Sequence, residues 1–168
     1  MNVMTTEERS SLVHGWETEQ LIRRVLFRAS TALDREDFPT FLACCTEDFS
    51  YKITAYSPEI RKDMTWFAQD FHGMKEILDT IHKHNRDRTP IVRHWSTQEV
   101  APSDVADTFD VTSTLQVYRT ALDGGETSLY AVGRYLDTVR LSSGQALLVR
   151  REVRLDTRML GVGYHIPF

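Results

Sequence analysis

The residues best suited to chemistry are one histidine, one aspartate and two tyrosines. His94 lies early in a predicted strand, and Asp34 ends a predicted helix. A histidine base can abstract a proton while the hydroxyl of Tyr51 or Tyr118 stabilises the oxyanion that forms. Such a set suits a small lyase or isomerase with an apolar cavity. A second interpretation remains open, in which Asp34 starts a turn, His94 bonds within the fold and large side chains fill the cavity.

Three further histidines and one glutamate could bind a metal. His72 and Glu76 are four residues apart, so on a helix they would share one face, but two ligands alone are a weak signal. His82 and His84 are two residues apart and would point to different sides, so we interpret them as helix-end groups. The sequence contains neither a Gly-rich phosphate loop nor a nucleophile elbow.

The only two cysteines, Cys44 and Cys45, are neighbours in the sequence. A disulfide between adjacent residues is strained, so we predict two reduced thiols, which is consistent with the cytoplasm. A redox site is the alternative, but a buried free cysteine usually behaves as a small apolar side chain.

Length and composition predict one globular domain over residues 1–168. The chain is 41% hydrophobic and 26% charged, with a formal net charge of −4. This acidic balance argues against nucleic acid or a membrane surface as the partner, and no apolar run is long enough to cross a bilayer. The polar N-terminus does not resemble a secretory signal, and we expect residues 1–15 to form an extended arm.

The order of the predicted elements indicates an α+β fold in which N-terminal helices cover a curved, mainly antiparallel sheet. Periodicity assigns no element to Glu59–Phe71. Helices are predicted at Trp16–Leu33, Phe38–Cys45 and Gly73–Lys83, and strands at Asp48–Tyr56, Ile91–Val100, Val105–Ala121, Glu126–Leu141 and Ala146–Thr157.

Alternation in the last strand predicts one packed and one polar face. The packed face would contain Leu147, Val149, Val153 and Leu155, with Arg151 among them. The polar face would contain Leu148, Arg150, Glu152, Arg154 and Asp156. Arginine is enriched at protein interfaces, so this face suggests contact with a neighbouring subunit.

Three segments carry a resemblance to a known family. They are Tyr56–Trp66 (YSPEIRKDMTW), Lys83–Asp87 (KHNRD) and Arg150–Phe168, which includes LDTRML. In this order, inside this layout, they resemble the small (β) subunit of Rieske-type non-haem iron oxygenases. The resemblance extends over residues 16–168. Within the family, the chain is similar to two groups, the small subunits of aromatic-acid hydroxylases and of methanesulfonate monooxygenase.

The resemblance implies a cone of the nuclear-transport-factor-2 (NTF2) type and a non-catalytic, structural subunit of a multicomponent oxygenase. The [2Fe–2S] cluster and the mononuclear iron would belong to the large (α) subunit, and this chain would have no catalytic, cofactor or metal residue. The implied partners are that large subunit and two further copies of this chain in an α3β3 assembly in the cytoplasm. The implied reaction is hydroxylation of an aromatic acid or a small sulfonate.

A stem role would explain several exposed groups. Arg150, Arg151, Arg154 and Arg158, with Trp66, Trp95 and the aromatic tail Tyr164–Phe168, are of the types enriched at subunit interfaces. Two alternatives remain. One is a free-standing cone-fold dehydratase or isomerase that uses Asp34 and His94, and the other is a binding module with a hollow cone.

Overall fold

The computed structural model describes residues 6–83, 87–160 and 167–168, with side chains from residue 15 onward. It consists of three α-helices and a six-stranded sheet. The helices are α1 (Thr6–Asp34), α2 (Phe38–Leu42) and α3 (Phe71–Thr80), the last followed by a 3₁₀ turn (Ile81–Lys83); the strands are β1 (Cys45–Ser57), β2 (Lys62–Asp70), β3 (Ile91–Pro102), β4 (Thr108–Thr120), β5 (Thr127–Ser142) and β6 (Gln145–Leu155).

Helix α1 buries one apolar stripe against the sheet, as its spacing predicts. Ile22, Leu26, Ala29 and Leu33 are all buried. The extended arm predicted for residues 1–15 is wrong from Thr6 onward, where α1 begins. The segment from 6 to 15 has no proline, and Glu7, Glu8, Arg9 and Leu12 favour a helix, so the helix can extend through it. Residues 1–5 lie outside the described part of the chain.

The end of α1 fixes the position of Asp34. The Asp37 N–H donates to the Ala32 carbonyl at 2.8 Å and the Glu36 N–H to the Leu33 carbonyl at 3.2 Å. Glu36 itself adopts a left-handed φ of 53°. Together these features form a Schellman motif, which stops the helix within one turn. Asp34 is thereby held in the last helical turn, beside the sheet.

Helices α2 and α3 both begin at an aspartate cap. The Asp37 carboxylate accepts from the Thr40 N–H at 3.2 Å, and the Asp70 carboxylate accepts from the Gly73 N–H at 2.8 Å. Helix α2 ends at Leu42, three residues earlier than predicted, because Cys45 already pairs with β6.

The sheet has the strand order β2-β1-β6-β5-β4-β3. Strands β3 to β6 form an antiparallel meander, and β1 joins it in parallel beside β6. At Gly133 the backbone of β6 leaves no room for a side chain, since an added Cβ there would be 2.3 Å from the Arg154 carbonyl oxygen. The predicted α+β architecture, with helices packed on a curved and mainly antiparallel sheet, is confirmed.

The main element missed by the sequence is β2, within the unassigned stretch Glu59–Phe71. This strand is an outer strand, and its side chains are exposed or only half-buried. The register against β1 also shifts between Ile53 and Thr54, so that Trp66 is an extra residue in the ladder. An edge strand with a bulge lacks the simple alternation that would have identified it.

A second bulge changes which side chains of β6 face the core. The register between β5 and β6 shifts after Thr138, and Leu148 is buried in place of Leu147 and Val149. From Arg150 onward the predicted faces hold, with Val153 and Leu155 buried. Within the described ranges, no helix has the length and hydropathy needed to cross a membrane.

Candidate functional site

We call the interior between the helices and the helix-facing side of the sheet the cone. A buried ion pair lies within it. Asp137 of β5 and Arg151 of β6 are direct cross-strand partners. The guanidinium donates from Nε to Oδ1 and from Nη2 to Oδ2, both at 2.8 Å. Arg151 is 0% exposed and Asp137 2%. Burial alone would lower the pKa of Arg151, but the charge and hydrogen bonds of Asp137 outweigh it and raise the pKa.

Two tyrosines surround this pair. The Arg151 guanidinium carbon lies 4.1 Å from the centre of the Tyr135 ring, within cation–π range. Tyr51, opposite Arg151 on β1, is also buried. Burial raises the pKa of both phenols, so both stay protonated. Neither tyrosine can therefore serve as a base.

The last residue, Phe168, packs into the cone beside these groups. It is 0% exposed, its ring stacks on Tyr130 at 6.2 Å between centroids, and its N–H donates to Tyr51 Oη at 2.8 Å. Arg151, Tyr51, Tyr135 and Phe168 are among the largest fully buried side chains. Large buried side chains therefore occupy the cone, where the sequence left open a possible cavity.

Asp34 reaches the cone, but its partner is Arg93 rather than His94. The Arg93 Nη1 donates to Asp34 Oδ1 at 2.5 Å, and its Nη2 donates to the Pro167 carbonyl at 2.5 Å. The Arg93 side chain has no exposed surface. Both described carboxylates of the cone, Asp34 and Asp137, are thus paired with guanidinium groups.

The predicted His94–Asp34 catalytic set is not assembled. Arg93 faces the core, so the strand alternation places its neighbour His94 on the opposite, exposed face. There the His94 ring packs edge-on against Tyr118 at 5.4 Å. The described histidines, at positions 72, 82 and 94, are all exposed, and none lies in the cone.

The outer face of the sheet contains the predicted arginines, but they are paired within the chain. The Glu152 carboxylate accepts from Thr54 at 2.7 Å and Arg150 at 2.6 Å and lies 3.1 Å from the Lys52 amine. Burial would raise the pKa of Glu152, but these three partners lower it.

The remaining members of the predicted arginine surface differ in their positions. Arg154 pairs with Asp63 and Arg158 with Glu59, whereas Arg151 lies inside the cone and is wrongly placed on that surface. Of the aromatic tail, Phe168 is buried within the fold, and Gly161–Ile166, with Tyr164, lie outside the described residues.

The cysteines do not have the environment of metal ligands. Cys44 Sγ donates to the Thr40 carbonyl at 3.3 Å and Cys45 Sγ to the Phe41 carbonyl at 3.4 Å. Burial raises both thiol pKa values, so the thiolate that would bind a metal is disfavoured.

The described histidine candidates for metal ligation also lack a group of neighbouring ligands. His72 packs against the Phe71 ring. Residue 84 is outside the described part, so the pair His82 and His84 cannot be assigned a geometry. Across the described side chains, no three His, Cys, Asp or Glu residues come close enough to hold a metal ion.

Two features of the site had no specific signal in the sequence. Asp137 is a single carboxylate in an otherwise alternating strand. Arg93 and His94 are neighbours in one strand, and the sequence does not show which of the two lies on the packed face. Recognising either requires knowing which face of its strand packs against the helices. The burial of Phe168 depends on contacts with Tyr51 and Tyr130, far away along the chain.

Comparison with known proteins agrees with this architecture. The chain is 37% identical over 153 residues to the methanesulfonate monooxygenase hydroxylase subunit beta of Methylosulfonomonas methylovora, covering 87% of this chain and 84% of the relative. It is 34% identical over 146 residues to the 2-aminobenzenesulfonate 2,3-dioxygenase subunit beta of Alcaligenes sp, covering 87% and 96%.

A solved structure supports the fold. An NTF2-like protein with a cystatin-like fold from Novosphingobium aromaticivorans superimposes with a TM-score of 0.66 at 15% identity, covering 92% of each chain. The predicted NTF2-like cone is confirmed. The family model described as ring hydroxylating beta subunit matches residues 28–161. With that match and the two relatives, the chain belongs to the family of ring-hydroxylating oxygenase beta subunits.

Proposed function

We propose that this chain is the non-catalytic small subunit of a Rieske-type oxygenase and that it supports an iron-bearing large subunit. The observation that carries the proposal is the filled cone. Arg151, Tyr51, Tyr135 and Phe168 occupy the volume in which a cone-fold enzyme would need space for its substrate. The cone then acts as a rigid core beneath surfaces that contact other subunits.

The protonation states in the cone support the same assignment. A general base needs a group that is free to accept a proton at the operating pH. Asp34 and Asp137 are held by Arg93 and Arg151, and the buried tyrosines stay protonated. The alternative, a dehydratase or isomerase using Asp34 and His94, therefore lacks its geometry.

The donor groups do not fit the cofactors of a Rieske oxygenase. A Rieske cluster needs two thiolates and two imidazoles, and the mononuclear iron needs two histidines and a carboxylate. Cys44 and Cys45 are adjacent, buried and bonded to main-chain carbonyls. We therefore assign both metal centres to the large subunit.

The finer parts of the proposal rest on the relatives and the resemblance. Methanesulfonate and 2-aminobenzenesulfonate appear in the names of the two relatives, which favours a sulfonate over an aromatic carboxylic acid as substrate. Three small and three large subunits would form the α3β3 complex. We place that complex in the cytoplasm, because the two cysteines are buried thiols rather than a bridge.

The experiment is to purify the chain alone, the large subunit alone and the two co-expressed. Iron and acid-labile sulfide are then measured in each preparation. We expect a complex of both subunits in which the metal follows the large subunit. Stoichiometric iron in the isolated small chain would contradict the assignment, as would the absence of any complex.

A further inference from the structure

A surface groove of about 600 Å³ separates helix α1 from the edge of the sheet. Its walls are Arg23, Arg24 and Phe27 of α1 and the continuous run 93–97 of β3. Arg93 is the one wall residue that also has contacts described for the cone, and the function proposed above does not use the groove.

The floor of the groove is the bare edge of β3. This strand is the last in the sheet and pairs only with β4. The Arg93 N–H faces Asp34 of α1 at 3.3 Å, away from β4. Main-chain groups alternate in direction along a strand, so the N–H and carbonyl of Trp95 also point away from β4, toward the groove. A bare edge of this kind can pair with an added extended segment.

The groove is cationic although the chain as a whole carries a charge of −4. Its lining contains no carboxylate, and because Arg93 is buried and paired with Asp34, the exposed positive charge is that of Arg23 and Arg24. Arg23 is paired with Glu19, but that pair is exposed on α1, and exposed pairs of this kind contribute little. Arg24 forms no ion pair with any residue that the structure describes. The charge of the groove favours an acidic occupant.

An apolar contact accompanies the charge. Phe27 is 66% exposed on α1, although a phenylalanine normally lies in a core. It lines the same groove as the half-buried Trp95. Aromatic and arginine side chains together in a groove are the residue types that carry most binding energy at protein interfaces.

We propose that an extended acidic segment of the oxygenase large subunit binds in this groove. Its main chain pairs with the edge of β3 at Trp95, its carboxylates face Arg23 and Arg24, and an apolar side chain packs on Phe27. The identity of the partner rests on the function proposed above.

A second copy of this chain fits the groove less well. The other bare sheet edge, β2, could in principle pair with β3 of a neighbour. Its two carboxylates leave little net negative charge, because Lys62 lies in the same strand, Asp63 is 2.6 Å from Arg154, and Asp70 caps α3. The charge complementarity that the groove requires is therefore lacking in β2.

The test measures binding of the purified large subunit to the full-length small chain. Arg24→Glu and Phe27→Ala alter the groove, and both side chains belong to the solvent-facing side of α1. The matched controls are Arg134→Glu, on the exposed outer face, and Leu122→Ala, in the exposed turn after β4. We expect each groove variant to raise Kd about tenfold or more and each control to change it less than twofold.

Hydrogen exchange supplies an independent measurement. In the complex, the amide of Trp95, which points toward the groove, should exchange at least tenfold more slowly than in the isolated chain, whereas the amides of β2 should not change. Wild-type binding by both groove variants would overturn the groove proposal and leave the proposed function standing. Loss of binding in Arg134→Glu alone would overturn it in favour of the outer face. Loss of self-association alone in the groove variants would overturn it in favour of a second copy. Failure of the wild-type chains to bind would overturn both proposals.

Discussion

Removing one member of the buried Asp137–Arg151 pair should destabilise the protein more than removing both. In Asp137→Ala, the Arg151 guanidinium stays fully buried and loses both of its 2.8 Å hydrogen bonds to the carboxylate. Because Arg151 has no exposed surface, water cannot replace those bonds without opening the core.

The magnitude follows from the burial. Breaking a buried pair typically costs about 3–5 kcal/mol, whereas replacing both members by apolar groups is often close to neutral. Asp137→Ala and Arg151→Met should each lower the free energy of unfolding by about 3–5 kcal/mol. The double variant Asp137→Ala/Arg151→Met should lose less than either single variant, which gives a coupling energy of about 3 kcal/mol or more.

The assay is urea unfolding followed by circular dichroism and tryptophan fluorescence, for the four members of the double-mutant cycle. The matched control is Asp79→Asn, which breaks the exposed pair of Lys75 and Asp79 on α3. That control should change the free energy of unfolding by at most about 0.5 kcal/mol. A single variant that fails to fold, while the double variant folds, gives the same sign as the predicted coupling.

A hydrated cone would give a different result. If water reached the Arg151 guanidinium, then Asp137→Ala would cost less than about 1 kcal/mol, as at an exposed pair. That outcome, together with additive single and double variants, would refute the claim that side chains fill the cone.

Three further predictions concern the rest of the chain. In the same urea assay, Phe168→Ala should lower the free energy of unfolding by about 3–5 kcal/mol. The control Met159→Ala, at an exposed site, should lower it by at most about 0.5 kcal/mol. Carboxyl NMR should show Glu59 titrating at a pKa of about 2, because hydrogen bonding to Arg158 lowers the pKa from 4.5. Since the pKa is lower in the folded state than in the unfolded state, the pair stabilises the fold fully above pH 4.5, and this stabilisation is lost as the pH falls toward 2. Arg158→Gln should return the pKa toward 4.5, and an unchanged value would contradict this cause. Burial raises the Cys45 thiol pKa, so iodoacetamide at pH 8 should modify this residue only after unfolding; rapid modification of the folded chain would contradict its burial.

The sequence predicted those parts of the fold that depend on local patterns. The stripe of α1 and the alternation of Arg151, Val153 and Leu155 in β6 are local periodicities, and both are confirmed. The edge strand β2 was missed because the residues of Lys62–Asp70 are mostly exposed and interrupted by a bulge. The alternation of apolar and polar residues is absent for a physical reason, because a strand that buries neither face does not need it.

The candidate site depended on single-residue register, which the sequence does not determine. His94 and Arg93 are neighbours, and only one can face the cone. Arg93 faces it because its guanidinium meets Asp34 and the Pro167 carbonyl, contacts made by distant parts of the chain. The sequence therefore identified Asp34 as a cone residue but paired it with the wrong neighbour.

The most direct test of the central claim is turnover per iron in the assembled oxygenase with Tyr51→Phe/Tyr135→Phe in the small chain. These substitutions remove the two buried tyrosine hydroxyls of the cone and keep both rings, of which that of Tyr135 packs against Arg151. If the cone is structural, turnover per iron should stay within about twofold of wild type, because no proton transfer passes through it. A fall of about 100-fold or more, with the subunit ratio and iron content unchanged, would show that chemistry takes place in the cone and would contradict the account.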